Sequence, residues 1–155
     1  MASSRTQSLD SLEATRRLGA RLAAQLRPGD TVLLTGDLGA GKTTLARAVI
    51  AEMCGVEDAP SPTYTLVQLY DTAAGDELWH ADLYRVEDVS ELEELGLEDA
   101  FETAICLVEW PDRLGDAIPQ DRLEILLRAS DAGLESGREA RITGFGRWEE
   151  RVDDI

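Results

Sequence analysis

The amino-acid sequence predicts one α/β domain with a mixed, partly antiparallel sheet flanked by helices. Three observations predict it. A short buried strand runs through a glycine-rich turn straight into a helix, two strand-like segments face each other across a polar turn, and strand and helix patterns mix without any internal repeat. At 155 residues the whole chain, 1–155, reads as a single domain.

The elements follow in order. Leu12, Leu18, Leu22 and Leu26 recur at helical spacing, with Asp10 as a candidate N-cap and Glu13 three residues on, until Pro28-Gly29 stops the pattern. Met1 to Asp10 shows no apolar run. Thr31 to Thr35 has the β-branched and aliphatic character of a buried strand, and Leu45, Val49 and Met53 mark one face of a helix that ends at Gly55. After Pro60-Ser-Pro62, Thr65–Tyr70 and Glu77–Asp82 read as strands of a hairpin closed by Asp71 to Asp76. Ser90 with Glu93 resembles a capping box before a short helix ending near Gly96. Ala104 to Glu109 is another buried strand, halted by Trp110-Pro111, and Leu123–Leu127 and Ala140–Thr143 are two more around a polar loop. Residues 146–155 support no element and read as a tail free to be mobile.

Composition narrows the function. With 31 acidic against 15 basic residues the formal charge is −16, so the surface repels phosphate backbones and anionic membranes. Nucleotides held in one local pocket remain compatible with that field. Cys54 and Cys106 have no CxxC spacing and sit in apolar stretches, so they read as buried free thiols of a reducing compartment. No apolar run approaches the roughly 20 residues of a membrane span, and the expected location is the cytoplasm.

Gly36-Asp-Leu-Gly39-Ala-Gly41-Lys42-Thr43 satisfies G-x-x-x-x-G-K-[ST] between a predicted strand and a predicted helix, a match expected by chance on the order of once in 200 such chains. The glycines let successive backbone N–H groups turn toward one centre, and the helix N-terminus adds partial positive charge. The backbone from Gly39 through Ala40, Gly41, Lys42, Thr43 and Thr44 is therefore the expected phosphate cradle of a P-loop NTPase-like domain. Lys42 would reach the β and γ phosphates, and the Thr43 hydroxyl would ligate Mg²⁺. The bland alternative is a glycine-rich turn with a surface lysine. Against it, the chain has 14 arginines and a single lysine, and that lysine stands here. The chain also has no asparagine and no second lysine, which excludes the Asn/Thr-Lys-x-Asp reading of guanine and leaves ATP as the default.

A P-loop works with a carboxylate at the end of a neighbouring strand. Glu109, closing Ile105-Cys-Leu-Val-Glu109, is the first choice as metal-side and catalytic acid; the alternative is a strand ending in a solvated acid. His80-Ala-Asp82-Leu-Tyr84-Arg85 puts His80, Asp82 and Tyr84 at period two, on one face if the strand runs that far. Asp82 is a second candidate catalytic carboxylate, Arg85 a candidate for neutralising developing charge or a surface ion pair, and the lone histidine reads as structural more readily than catalytic. Ser61-Pro-Thr-Tyr-Thr65 offers hydroxyls as a switch loop or simply as a capped turn.

Four segments in this order, Gly36 to Thr44, Ser61 to Val67, His80 to Arg85 and Leu107 to Trp110, resemble the TsaE family, the bacterial P-loop ATPase component of tRNA threonylcarbamoyladenosine synthesis. The resemblance spans roughly residues 8–128. It implies a mixed-sheet P-loop fold and a role in attaching threonylcarbamoyl to adenosine 37 of tRNAs that read ANN codons. It further implies ATP and Mg²⁺ as cofactors, weak hydrolysis by the protein alone, and two partners, the transferase subunit TsaD and its companion TsaB. Carried over, Lys42 and Thr43 serve phosphate and Mg²⁺, Glu109 is the metal-side acid, Asp82 supports hydrolysis, and Trp110 packs beside the nucleotide or switch region. Acidic residues from Glu87 to Glu102 form either a solvated helix face or a docking surface. With this charge, tRNA is expected to engage only through the partners. A small-molecule P-loop kinase and a nucleotide-gated binding module are the competing classes.

Overall fold

In a computed structural model the described residues are 2–37, 39–62, 66–130 and 133–155. Strands β1 (Ser3–Leu9), β2 (Thr31–Thr35), β3 (Val67–Asp71), β4 (Glu77–Asp82), β5 (Ile105–Glu109), β6 (Arg122–Ser130) and β7 (Gly133–Phe145) form one sheet in the order β1-β7-β6-β2-β5-β4-β3. The four central strands β6, β2, β5 and β4 run parallel, while β1, β7 and β3 pair antiparallel at the two sides. The mixed sheet expected from the sequence is therefore present, with a larger antiparallel share than the one expected hairpin.

Helices α1 (Leu12–Gln25) and α2 (Lys42–Cys54) cover one face, where Leu18, Leu22, Leu45, Val49 and Ile50 meet Val32, Leu34, Leu107 and Ile125. Gly19 lets them close: a Cβ there would lie 2.6 Å from that of Ala48. Helices α3 (Ser90–Leu95) and α4 (Leu97–Thr103) and a 3-10 segment (Pro111–Ala117) cover the other face, burying Leu92, Leu97, Phe101 and Leu114 against Leu33, Ala81, Cys106 and Val108. Such near-continuous apolar strands are what a sheet covered on both faces requires.

Several local expectations change. The N-cap of α1 is Ser11, whose hydroxyl accepts from the Ala14 N–H at 3.1 Å, rather than Asp10. Ser90 and Glu93 form no capping box; instead Asp88 accepts from the Ser90 N–H, and Glu91 accepts from the Glu87 and Asp88 N–H groups. The opening segment is strand β1, whose alternation is of polar residues and so carries no hydrophobic signal. Residues 146–155 do not trail away: two 3-10 turns bury Trp148, Val152 and Ile155 in the core. Arg151 stacks on Trp148 with its guanidinium carbon 3.8 Å from the ring centroid, pairs with Asp30 at 3.1 Å and donates to the Gln25 carbonyl. Among the described residues no helix is long and apolar enough to cross a membrane.

Both cysteines are free, Cys106 buried and Cys54 half-buried. Burial pushes the Cys106 thiol up to about 12, and burial with the nearby Asp71 raises that of Cys54. Because a raised thiol reaches its reactive thiolate only at higher pH, a thiolate-selective reagent at pH 8 is expected to spare Cys106 until denaturant is added. Adduct masses on peptides check this, and rapid labelling of Cys106 in the folded chain would contradict the packing.

Candidate functional site

The parallel strands β2, β4 and β5 end at the same edge of the sheet, and Lys42, Thr43, Asp82 and Glu109 lie there. The turn after β2 carries glycine at three positive-φ positions, 36, 39 and 41. Gly36 has φ +140° and so little room that a Cβ would run into the Leu127 carbonyl; Gly41, at φ +105°, turns the chain into α2. The turn delivers the first residues of α2 to the strand ends.

Lys42 is 5% exposed. Its Nζ donates to the carbonyls of Gly36 at 2.5 Å and Asp37 at 2.9 Å, and sits 4.1 Å from the Trp110 ring centroid. Burial pulls this ammonium below its ordinary value, while the Glu109, Asp82 and Asp37 carboxylates pull it back up. The sole lysine is thus a desolvated cation among acids, not a solvated surface group.

Thr43 Oγ1 donates to Glu109 Oε1 at 2.8 Å. Glu109, the last residue of β5, is 2% exposed, and its other oxygen lies 2.7 Å from His80 Nε2. The register aligns Asp82 with Glu109 and His80 with Leu107, so both β4 residues share the α2 side of the sheet with Glu109. Asp82 is buried and accepts from the Tyr84 N–H at 3.0 Å. The strand stops at Asp82, so Tyr84 does not continue that face; it is exposed and packs on Trp110 with ring centroids 4.9 Å apart. Trp110 adopts the left-handed region at φ +58°, a strained conformation for an aromatic residue, directly after Glu109.

The structure therefore gathers Lys42, Thr43, Glu109 and Asp82, with Trp110 beside them, as the sequence reading proposes. Arg85 is exposed. Thr63, Tyr64 and Thr65 of the expected switch loop, and Leu38 of the glycine-rich turn, lie outside the described residues. Two groups escape the sequence reading as site components. His80 is legible only as sharing a face with Asp82, because its partner is chosen by strand order. Arg138, on β7, donates to the Gly39 carbonyl at 2.9 Å across 99 positions and carries no local signal. Beside this contact a cavity of about 340 Å³ opens between Leu9 to Leu12, Thr15, Ala40, Thr44 and Arg138.

A match to the family described as threonylcarbamoyl adenosine biosynthesis protein TsaE covers residues 9–140. The chain belongs to the TsaE family. Among curated TsaE proteins, each named tRNA threonylcarbamoyladenosine biosynthesis protein TsaE, that of Rickettsia conorii is 40% identical over 79% of this chain and 70% of its own. That of Bacillus subtilis is 37% identical over 92% of this chain and 88% of its own. The crystal structure of Bacillus subtilis YdiB superposes with a TM-score of 0.79 at 30% identity, covering 99% of this chain and 94% of that one. The TsaE match includes all four gathered residues and His80; the buried tail beyond residue 140 is covered by the structural match.

Among the described residues no three His, Cys, Asp or Glu side chains converge as a self-sufficient metal cage. One hydroxyl and one carboxylate 2.8 Å apart suit Mg²⁺, which takes few protein oxygens and completes its shell with water and phosphate. Replacing Thr43 by Val keeps the shape and removes one donor from the buried Glu109. A loss of about 1–3 kcal/mol in unfolding free energy is expected from urea titration; unchanged stability would show that this bond carries no weight in the fold.

Proposed function

We propose that this TsaE-family chain is a Mg²⁺-dependent P-loop ATPase that serves tRNA threonylcarbamoyladenosine (t6A37) biosynthesis together with a TsaD-like transferase and a TsaB-like companion. The observation that carries the reading is the Thr43–Glu109 contact at the start of α2, with the desolvated Lys42 beside it. A hydroxyl, a carboxylate and an ammonium on backbone N–H groups turned by glycine are the parts phosphoryl transfer needs.

In this reading the backbone from Gly39 to Thr44 holds the phosphates and Lys42 leaves its two carbonyl partners to meet the β and γ oxygens. Thr43 and Glu109 would hold Mg²⁺, which when bound screens phosphate charge and polarises the γ-phosphoryl group. Asp82, buried on the same sheet face, would orient the attacking water. The cavity of about 340 Å³ beside the cradle falls within the roughly 300–1,000 Å³ of small-ligand sites and would take the base and sugar. Arg138 would then fix the turn against β7 from outside. The exposed carboxylates of Glu93, Glu94, Glu98, Asp99 and Glu102 on α3 and α4 support tRNA engagement through partners rather than by this chain. The reducing cytoplasm is the compartment this reading assigns.

Reconstituted threonylcarbamoylation with purified partners tests the proposal. Lys42→Ala and Glu109→Gln are each expected to lower multiple-turnover rate by about 100-fold or more, and full activity in both would defeat it. Transfer of phosphate to a metabolite would favour the kinase alternative instead. The isolated chain at roughly physiological salt is expected to leave tRNA unshifted in a gel, whereas tight binding there would overturn the division of labour.

A further inference from the structure

His80 is the only histidine of the chain, fully buried on β4, and its two ring nitrogens are treated very differently. Nε2 lies 2.7 Å from Glu109 Oε2, while Nδ1 is buried with no hydrogen-bond partner among the described residues. A buried N–H left without an acceptor costs more than a bare ring nitrogen that keeps only a lone pair. The ring proton therefore belongs on Nε2, directed at the carboxylate.

Glu109 thus has a donor at each oxygen, from two different elements: Thr43 of α2 at Oε1 and His80 of β4 at Oε2. The two bonds are not equivalent. Thr43 stands at the mouth of the phosphate cradle and is asked to serve a cation as well, whereas His80 lies behind the carboxylate, out of solvent, where no ligand competes for it. With Oε2 unpaired at 2% exposure, the carboxylate would have reason to rotate or withdraw from its place.

We propose that His80 is the positioning residue of Glu109: its Nε2–H holds one carboxylate oxygen so that the other stays aimed at Thr43 and the start of α2. The proposal rests on the Mg²⁺ and ATP reading of the site above. It assigns to the lone histidine a role in metal-dependent nucleotide binding without any contact to metal or nucleotide, as partners of ligating side chains do elsewhere.

Two variants and one spectrum test it. His80→Gln keeps an N–H near the Nε2 position; His80→Phe keeps bulk and removes the donor. Calorimetry of ADP binding with and without Mg²⁺ is expected to give unchanged metal-free affinity in both. The gain in affinity on adding Mg²⁺ should fall about 10–100-fold in the Phe variant and stay within about threefold of wild type in the Gln variant. In the wild-type chain, ¹⁵N-imidazole NMR, unambiguous for a single histidine, should report the Nε2–H tautomer with signals that move when Mg²⁺ and ADP are added together. An Nδ1–H tautomer, or a folded Phe variant with the full Mg²⁺ gain, overturns the proposal. If the Phe variant does not fold, a Gln variant that loses the gain overturns it as well, and one that keeps the gain alongside the Nε2–H tautomer supports it. A wild-type chain that gains no ADP affinity from Mg²⁺ sinks the underlying reading, and the proposal with it.

Discussion

A carboxylate that is almost fully out of water must be given hydrogen-bond donors, and in this protein the demand of Glu109 ties three elements together. Thr43 brings the first turn of α2, His80 brings β4, and Glu109 itself ends β5. Leaving either oxygen bare at that depth would cost a few kcal/mol, the penalty of a buried charge that has lost its partner. The parallel order β2-β5-β4 and its register are the geometry that meets the demand, since they set Asp82 opposite Glu109 and bring the turn after β2 to the same edge.

Charge is organised around the same point. Among the described residues arginines pair with acids away from Lys42, as in Arg122 with Glu124, Arg128 with Glu139 and the exposed pair of Arg147 with Asp121, the last of which contributes little to stability. Arg151 pairs with the buried Asp30 and closes the tail onto the core. Lysine, whose compact ammonium suits a point contact to phosphate, is used once and kept out of solvent. Backbone N–H groups of the glycine-rich turn, a helix N-terminus and one buried cation thus meet at one strand edge inside a strongly negative chain. A larger cleft of about 600 Å³ at the opposite, amino end of the parallel strands, near Glu98, Glu102, Asp116 and Asp121, has none of these features.

How far the sequence carries depends on whether a signal is local. The helices α1 and α2, the strands β2, β4 and β5, and the glycine-rich turn between β2 and α2 are readable because apolar period, glycine placement and neighbouring elements agree over a few residues. The capping residues differ from the expected ones by a position or two because Asp10, Ser11, Asp88 and Ser90 all carry a short side-chain oxygen able to accept a backbone N–H, and only backbone angles choose among them. Helix α4 was missed because a short acidic stretch with Leu97, Ala100 and Phe101 buried has too few turns to show a period. Strand β1 alternates polar side chains, and the tail is two single turns, so neither carries an apolar pattern; both are held by partners more than a hundred residues away.

By itself the sequence determined the chemistry available at the site: a glycine-rich turn able to present backbone N–H groups, one lysine, one threonine and a strand-ending glutamate, in a chain of formal charge −16. Those follow from residue type and short spacing, which folding does not alter. Only the tertiary structure decided which groups meet. Strand order set His80 behind Glu109, placed Arg138 against Gly39 and buried Lys42 beneath Trp110, because each of these contacts joins residues far apart in sequence whose meeting depends on how the sheet is threaded and covered.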